Sequence, residues 1–307
     1  MIDIIVLGAA AGGGFPQWNS NAAGCRRARS GDPDALPRTQ ASIAISGDGA
    51  HWFVVNASPD LRTQIGQTPS LHPRDGLRST PIAGVILTGG EVDTVTGLLT
   101  LRERQPFTLL GTRPVLDLLD ANPIFEALDR TIVPRHALAL DAPCTLALPD
   151  GTPAGLTITP FAVPGKVPLY AETGPDPAAI VENGETVGLA ITDGTRHVFF
   201  IPGCARMTDA LRARLRGADI VFFDGTLWTD DEMLRAGLGQ KTGQRMGHMS
   251  VSGPDGTISA LSDLEIGHKI LIHINNSNPV LLADSPERAS ANAAGWDVAF
   301  DGMRITA

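Results

Sequence analysis

One segment, residues 85–103, constrains the fold of this chain more than any other stretch. It reads VILTGGEVDTVTGLLTLRE, and its first three residues are apolar, which predicts the end of a buried strand. Residues 88–90 predict a tight turn, and from Glu91 onward apolar residues recur at roughly helical spacing. Asp93 therefore lies at the start of the predicted helix, where a carboxylate either caps the helix or faces a cleft.

The composition and charge of the chain exclude several classes of protein. Of its 307 residues, 43% are hydrophobic and 19% are charged, which is typical of a folded core and not of a disordered chain. The net charge of −9 argues against a nucleic acid or an anionic membrane as the main partner. No apolar run reaches the length of about 18 residues that a membrane span needs. Cys25, Cys144 and Cys204 are widely separated and odd in number, so we expect no disulfide framework and a cytoplasmic protein.

The apolar periodicity predicts short strands that alternate with helices along the whole chain. Strands are predicted at residues 2–7, 42–46, 52–56, 107–110, 156–163, 186–192, 197–201, 219–223, 269–274 and 298–300. Helices are predicted at residues 61–65, 114–119, 123–128, 207–215, 257–266 and 285–294, with a loop at 20–40. Because no long linker interrupts this rhythm, we expect one α/β domain, 1–307, of two mixed sheets flanked by helices.

A glycine-rich turn follows the first predicted strand and superficially suggests a dinucleotide-binding site. Gly8 and Gly13 could match the first and third glycines of that fingerprint, but Ala10 occupies the second position, where the phosphates need bare backbone. Pro16 also interrupts the helix that should follow. We therefore interpret this turn as backbone that lines a pocket.

Polar side chains follow several of the predicted strands. Asp93, Asp224 and His273 lie at or just after strand ends, and His248 lies in a glycine-flanked loop. Two histidines and one carboxylate on one face suit a divalent metal and leave positions open for dioxygen or substrate. The alternatives are that Asp224 only forms a turn and that His273 is a core histidine. Cys204 is interpreted as a buried small hydrophobic residue.

Nine segments spread over nearly the whole chain carry a resemblance to a known family. They are GAAAGGGFPQWN (8–19), NASPDLR (56–62), HPRDGLR (72–78), GLLTLRE (97–103), VPGKVPL (163–169), IPGCAR (201–206), FDGT (223–226), KTGQRMGH (241–248) and HINNSNPVL (273–281). On these segments the chain resembles the pyrroloquinoline quinone (PQQ) biosynthesis protein B family, a branch of the metallo-β-lactamase superfamily. The resemblance implies an αββα sandwich, with metal and substrate between the loop ends of its two sheets.

The resemblance also implies a function in making the redox cofactor PQQ from a cross-linked glutamate–tyrosine precursor. The family is similar to non-haem iron hydroxylases, so Fe(II) is the implied metal and O₂ the implied co-substrate. Asp93, His273 and His248 are then the expected metal ligands. Asp224 is expected to orient a ligand or act as a base, with His248 beside it as the second catalytic residue. An older proposal gives the family a role in transport of the cofactor.

The sequence departs from the superfamily at its metal motif. The pattern His-x-His-x-Asp-His falls here on Gly89, Glu91, Asp93 and Thr94. The resemblance implies that this branch usually lacks the first two histidines and keeps the Asp-His pair, which here reads Asp93-Thr94. A neutral hydroxyl is a poorer ligand for Fe²⁺ or Zn²⁺ than an imidazole, so the implied set of Asp93, residue 94 and His273 is one imidazole short. We expect His248 to fill the gap.

A second departure concerns a structural zinc. The family carries a Cys-x-Cys-x-x-Cys site just after its Trp-Asn pair, and in this chain those positions are Ser20, Ala22 and Cys25. One thiolate cannot hold a tetrahedral zinc, so we predict none there.

Candidate substrate-binding residues lie in the matching segments. Basic side chains there could clamp the carboxylates of the precursor through charge-assisted bonds, or could simply be solvated: Arg78, Lys166, Arg206, Lys241 and Arg245. Asn275 and Asn276 could bond the polar ends of the substrate. Trp18 could form a wall for the aromatic ring, or serve packing instead.

Two other functions stay open. A non-catalytic paralogue that binds, carries or helps to transport PQQ or its precursor would explain Thr94 and the missing cysteines. A hydrolase is disfavoured, because Gly89 and Glu91 replace the histidine pair that holds a water-activating zinc. The partners we expect are other PQQ biosynthesis proteins and a second copy of the chain, with no nucleic acid and no membrane.

Overall fold

The computed structural model describes residues 1–172 and 179–307. Within these residues the strands are β1 (Asp3–Gly8), β2 (Ser42–Ser46), β3 (Trp52–Val55), β4 (Ile82–Ile86), β5 (Thr108–Thr112), β6 (Arg135–Leu138), β7 (Cys144–Ala147), β8 (Pro153–Ala162), β9 (Val187–Thr192), β10 (His197–Ile201), β11 (Ile220–Asp224), β12 (His268–Ile272), β13 (Trp296–Val298) and β14 (Arg304–Thr306). The helices are α1 (Ala23–Arg29), α2 (Leu61–Gln67), α3 (Val92–Val95), α4 (Arg113–Asp120), α5 (Asp209–Leu215), α6 (Glu232–Arg235), α7 (Gly243–Met246), α8 (Thr257–Ala260) and α9 (Pro286–Ala293).

The strands form two mixed sheets of seven strands each. The first sheet has the order β14-β1-β2-β3-β4-β5-β6, and the second has the order β13-β12-β11-β10-β9-β8-β7. Strands β3 to β6 are parallel, as are β10 to β13, and the remaining pairs are antiparallel. Each sheet therefore has one parallel and one antiparallel part.

The two sheets share one apolar core. Ile4 and Phe53 of the first sheet belong to the same buried cluster as Phe200 and Phe222 of the second. Side chains that point away from this core pack beneath the helices, as Val54 does with Leu61 of α2. Burial of a side chain of this size stabilises the fold by about 1.5–3 kcal/mol. The predicted α/β class, with two mixed sheets flanked by helices, is confirmed.

Several local predictions need correction. The loop predicted at 20–40 contains α1, and the helix predicted at 257–266 is only the single turn α8. The helix predicted from Glu91 is one α-turn, α3, that continues as a 3-10 helix, Thr96–Leu101. Three strands were not predicted, namely β6, β7 and β14. They lie at sheet edges, where exposed positions weaken the apolar pattern.

The parallel strands determine where functional side chains meet. Asp224 is the last residue of β11 and pairs with Ile272, so that His273 follows the neighbouring strand at the same edge. His273 has a φ of 57°, a left-handed conformation that few non-glycine residues adopt. The turn after β4 brings Asp93 to this edge from the first sheet. Among the described residues, no helix is both long and apolar enough to cross a membrane.

Candidate functional site

A cavity of about 530 Å³ opens between the loops that follow the parallel strands of both sheets. Loops of the first sheet contribute Gly12, Asp93 and Thr94 to its walls, and loops of the second contribute His248 and His273. The glycine-rich turn predicted to line a pocket does so through residues 11–13. This cavity is large enough for a small organic molecule.

The carboxylate of Asp224 is completely buried beneath the cavity. Its Oδ1 accepts hydrogen bonds from the backbone N–H of Thr226 at 3.0 Å and from Thr226 Oγ1 at 2.7 Å. Its Oδ2 accepts from the backbone N–H of Cys204 at 2.9 Å and lies 2.7 Å from His248 Nδ1. Three donors besides the histidine therefore fix the carboxylate, which removes much of the cost of burying its charge.

Asp93 and His273 form a second carboxylate–imidazole contact. Asp93 Oδ2 lies 3.0 Å from His273 Nε2. Burial raises the pKa of Asp93, but the hydrogen bond and charge of His273 outweigh this effect, and the net pKa is lowered. Burial likewise lowers the pKa of His273, but Asp93 outweighs it and the net pKa is raised. Each partner thus favours the charged form of the other.

The two histidines lie side by side. Their rings are stacked, with centroids 5.1 Å apart and planes 19° apart. Thr226 Oγ1 lies between them, 3.1 Å from His248 Nδ1 and 2.9 Å from His273 Nδ1. Thr226 was not among the site residues predicted from the sequence. The available signal was its position two residues after Asp224, where it closes a turn.

Three side chains at the cavity are spaced almost as the ligands of a metal ion would be. Donor atoms of Asp224, His248 and His273 all lie within 4.8 Å of one another. Ligand atoms that bind one ion at about 2.0–2.2 Å must lie within about 4.4 Å of each other, so small shifts would complete a three-ligand site. Two imidazoles and a carboxylate are also a suitable donor set for a divalent transition metal. The donor chemistry therefore fits a metal.

This group differs from the predicted one in its carboxylate. Asp93 was predicted as a ligand with His248 and His273, whereas the structure groups Asp224 with the two histidines and gives Asp93 a contact to His273. Thr94, the position of the missing imidazole, is nearly buried and lines the same cavity. Asp93 therefore stands beside the group, at a place where it could be either a fourth ligand or the partner of a ligating histidine.

Basic residues form one wall of the cavity. Lys166, Lys241 and Arg245, which the sequence suggested as substrate-binding residues, all line it. Glu172 was not predicted as a site residue. Its carboxylate accepts hydrogen bonds from Arg245 Nη1 at 3.1 Å, from Arg245 Nη2 at 2.9 Å and from Lys166 Nζ at 3.1 Å. The hydrogen bonds from Arg245, and to a smaller extent that from Lys166, lower the pKa of Glu172 to about 2. Glu91 lies 3.9 Å from Lys166 Nζ, and burial raises its pKa.

Four predicted substrate-binding residues are not brought to the cavity walls. Trp18 is 86% exposed, so it encloses no ring. Arg78 is exposed and faces Glu103, and Arg206 pairs with Glu182 beside a different cavity. Asn276 is buried and bonds Gln17, whereas its neighbour Asn275 does line the cavity. The position of a residue in a sequence motif does not show whether its side chain faces the cavity or the solvent.

The comparisons with known proteins agree with this fold. The chain matches the model of the beta-lactamase superfamily domain over residues 51–274. It is 85% identical over 306 residues to coenzyme PQQ synthesis protein B of Gluconacetobacter diazotrophicus, covering 100% of both chains. It is 59% identical to the protein of the same name from Gluconobacter oxydans, covering 99% of this chain and 98% of the other.

The chain belongs to the coenzyme PQQ synthesis protein B family. A similar solved structure is that of Zn²⁺-bound PqqB from Methylobacterium extorquens, at 49% identity and a TM-score of 0.95. The match covers 99% of this chain and 100% of that one. The family resemblance and the metallo-β-lactamase fold expected from the sequence are thus confirmed, and a divalent metal is consistent with both the relative and the donor group.

Proposed function

We propose that this chain acts in PQQ biosynthesis as a metal-dependent oxygenase that hydroxylates the tyrosine-derived ring of the cross-linked glutamate–tyrosine precursor. The proposal is carried by one observation, the group of Asp224, His248 and His273 at a cavity that fits a small molecule. The curated relatives are named for PQQ synthesis, which supports the pathway.

Asp224, His248 and His273 would hold the metal, for which we propose Fe(II). Two imidazoles and one carboxylate leave coordination positions open in non-haem iron oxygenases, and the bound ion would supply the activation of dioxygen. Thr226 would keep both rings oriented, because its hydroxyl lies within hydrogen-bond distance of each Nδ1. With Thr226 at Nδ1, Nε2 is the nitrogen of His273 left for the metal, so Asp93, whose Oδ2 lies 3.0 Å from Nε2, would stand at the metal as a fourth ligand.

Two parts of the cavity wall would position the substrate. Lys166, Lys241 and Arg245 would bind its carboxylates through charge-assisted hydrogen bonds. Val92 and Leu169, which also line the cavity, would enclose the apolar part of the ring in place of Trp18. These contacts would hold the ring beside the metal. The reaction would then be effectively intramolecular, because its reactants would already be in position.

The test is an anaerobic Fe(II) titration followed by oxygen-uptake measurements with the precursor, with mass spectrometry of the product. We expect one Fe(II) per chain and a product that gains oxygen. His248→Gln and His273→Gln should weaken iron binding by at least about 100-fold, because each removes a ligand. His268→Gln is the matched control, since His268 bonds Asp297 away from the cavity.

The possible outcomes separate the functions. Absence of iron binding and of oxygen uptake in the parent protein would contradict the proposal. Tight binding of the precursor to metal-free protein, without turnover, would favour a carrier. The specific observation behind that alternative is Thr94, which gives the cavity a hydroxyl where an imidazole was expected.

A further inference from the structure

A second metal-related feature lies in the 17–29 segment, which runs from the residue before Trp18 to the end of α1. This is where the family resemblance implies a structural zinc on three cysteines. The residues present do not fit one. Ala22 has no donor atom, and the Ser20 hydroxyl accepts a hydrogen bond from the backbone N–H of Ala22 at 3.3 Å. Cys25 is completely buried, and a single thiolate cannot hold a tetrahedral zinc.

An arginine closes the outer side of this segment. Arg29, the last residue of α1, donates from Nη1 to the backbone carbonyl of Ser20 at 2.6 Å. Its Nη2 donates to the backbone carbonyl of Gln17. The planar guanidinium thus bridges two carbonyls on one side of the turn, a geometry that its rigid fork of N–H groups favours. It ties the start of the segment to its end.

An asparagine closes the inner side. The Asn276 side chain accepts a hydrogen bond from Cys25 Sγ at 3.5 Å and donates from Nδ2 to Gln17 Oε1. Asn276 itself is nearly buried and lies three residues after His273. One amide therefore connects Gln17, at the start of the segment, and Cys25, within α1, to the loop that carries a metal-site histidine.

Gln17 connects this arrangement to the cavity. It lines the cavity wall, and both its backbone carbonyl and its side-chain oxygen are bonded, to Arg29 and to Asn276. We propose that Arg29 and Asn276 hold the 17–29 segment where relatives would use a structural zinc, and that they position Gln17 as part of the cavity wall. Arg29 and Asn276 are positioning residues, and this wall forms without zinc.

Hydrogen–deuterium exchange of the peptides that cover residues 15–31 tests the proposal, with the full chain in the presence of a chelator. Arg29→Gln and Asn276→Ala should each raise the exchange rate of these peptides by about tenfold. Each variant loses two hydrogen bonds, and the loss of one bond is expected to raise the rate about threefold. Arg29→Lys should restore part of the protection, because an ammonium can still donate to one carbonyl. Arg62→Gln, an exposed arginine of α2, is the matched control and should leave these peptides unchanged.

Cobalt substitution tests the absence of zinc directly. Cobalt bound by a thiolate gives a charge-transfer absorption that histidine and carboxylate ligands do not. We expect no such band, and the same metal content in the parent and in Cys25→Ala. A thiolate–cobalt band that Cys25→Ala abolishes, or unchanged exchange in both Arg29→Gln and Asn276→Ala, would overturn the proposal. Loss of metal through His248→Gln should leave exchange of the segment unaltered, so the oxygenase proposal can fail independently.

Discussion

Replacement of Thr226 by valine is the sharpest test of how the site is held together. Valine keeps the shape of threonine and replaces only the hydroxyl by a methyl group. That hydroxyl donates to Asp224 Oδ1 at 2.7 Å or to the backbone carbonyl of His273 at 2.9 Å. It also lies near Nδ1 of both histidines. We expect Thr226→Val to weaken both the fold and metal binding.

The structure sets the size of the effect. Hydrogen bonds to charged groups contribute about 1.5–3 kcal/mol. Asp224 would keep its bonds from two backbone N–H groups, those of Thr226 and Cys204, so its charge stays partly compensated. We therefore expect a loss of about 2 kcal/mol in the free energy of unfolding. Loss of an outer contact that orients metal ligands should also weaken metal binding by about 10–100-fold.

Urea denaturation of metal-free protein measures the first quantity, and Fe(II) titration measures the second. Thr226→Ser is the matched control, because it keeps the hydroxyl and loses one methyl group. The serine variant should lose about 1 kcal/mol of stability and bind metal nearly as tightly as the parent. If both variants bind metal equally well, the hydroxyl does not orient the histidines and the reasoning is refuted.

Three further predictions follow from other parts of the molecule. Thr94→His should tighten metal binding by about tenfold, and an unchanged Fe(II) titration would show that Asp93 and its neighbour lie outside the coordination sphere. Arg245→Lys should raise the KM for the precursor by about tenfold, because an ammonium cannot replace a two-pronged contact; an unchanged KM would mean that Arg245 only holds Glu172. Burial raises the pKa of Asp301 from 3.8 to about 6, so its protonated form stabilises the fold at low pH. That stabilisation, up to about 3 kcal/mol, should fade as the pH rises from about 4 to about 6. Denaturation curves of Asp301→Asn should lack this dependence, whereas those of Asp255→Asn, an exposed carboxylate, should retain it.

The sequence predicted the fold best where strands are long and buried on both faces. β11 is buried at every position, and its apolar run leaves no alternative to a strand. The strands β6, β7 and β14 were missed because they lie at edges and mix exposed with buried positions. Their pairing depends on a neighbouring strand, which is information that no short window of sequence contains.

The site was predictable where a side chain follows a strand directly. Asp224 and His273 were found in this way, because strand ends have a fixed position in parallel sheets. Glu172 was missed, since its partner Arg245 lies 73 residues away and nothing local links the two. Trp18 was misjudged for a related reason: the chain turns its side chain outward, and only the surrounding contacts decide that direction.

Because the donor residues come from both sheets, mutations in the core between the sheets can affect the candidate metal site. Asp224, His248 and His273 all come from the second sheet and its loops, whereas Asp93 arrives from the first. Mutations that weaken the apolar packing between the two sheets would move Asp93 away from His273. They would leave Asp224, His248 and His273 together. A protein weakened in this way would keep the three-donor group and lose the acidic neighbour of His273, so we expect impaired variants to bind the ion more weakly although none of the three donors is altered.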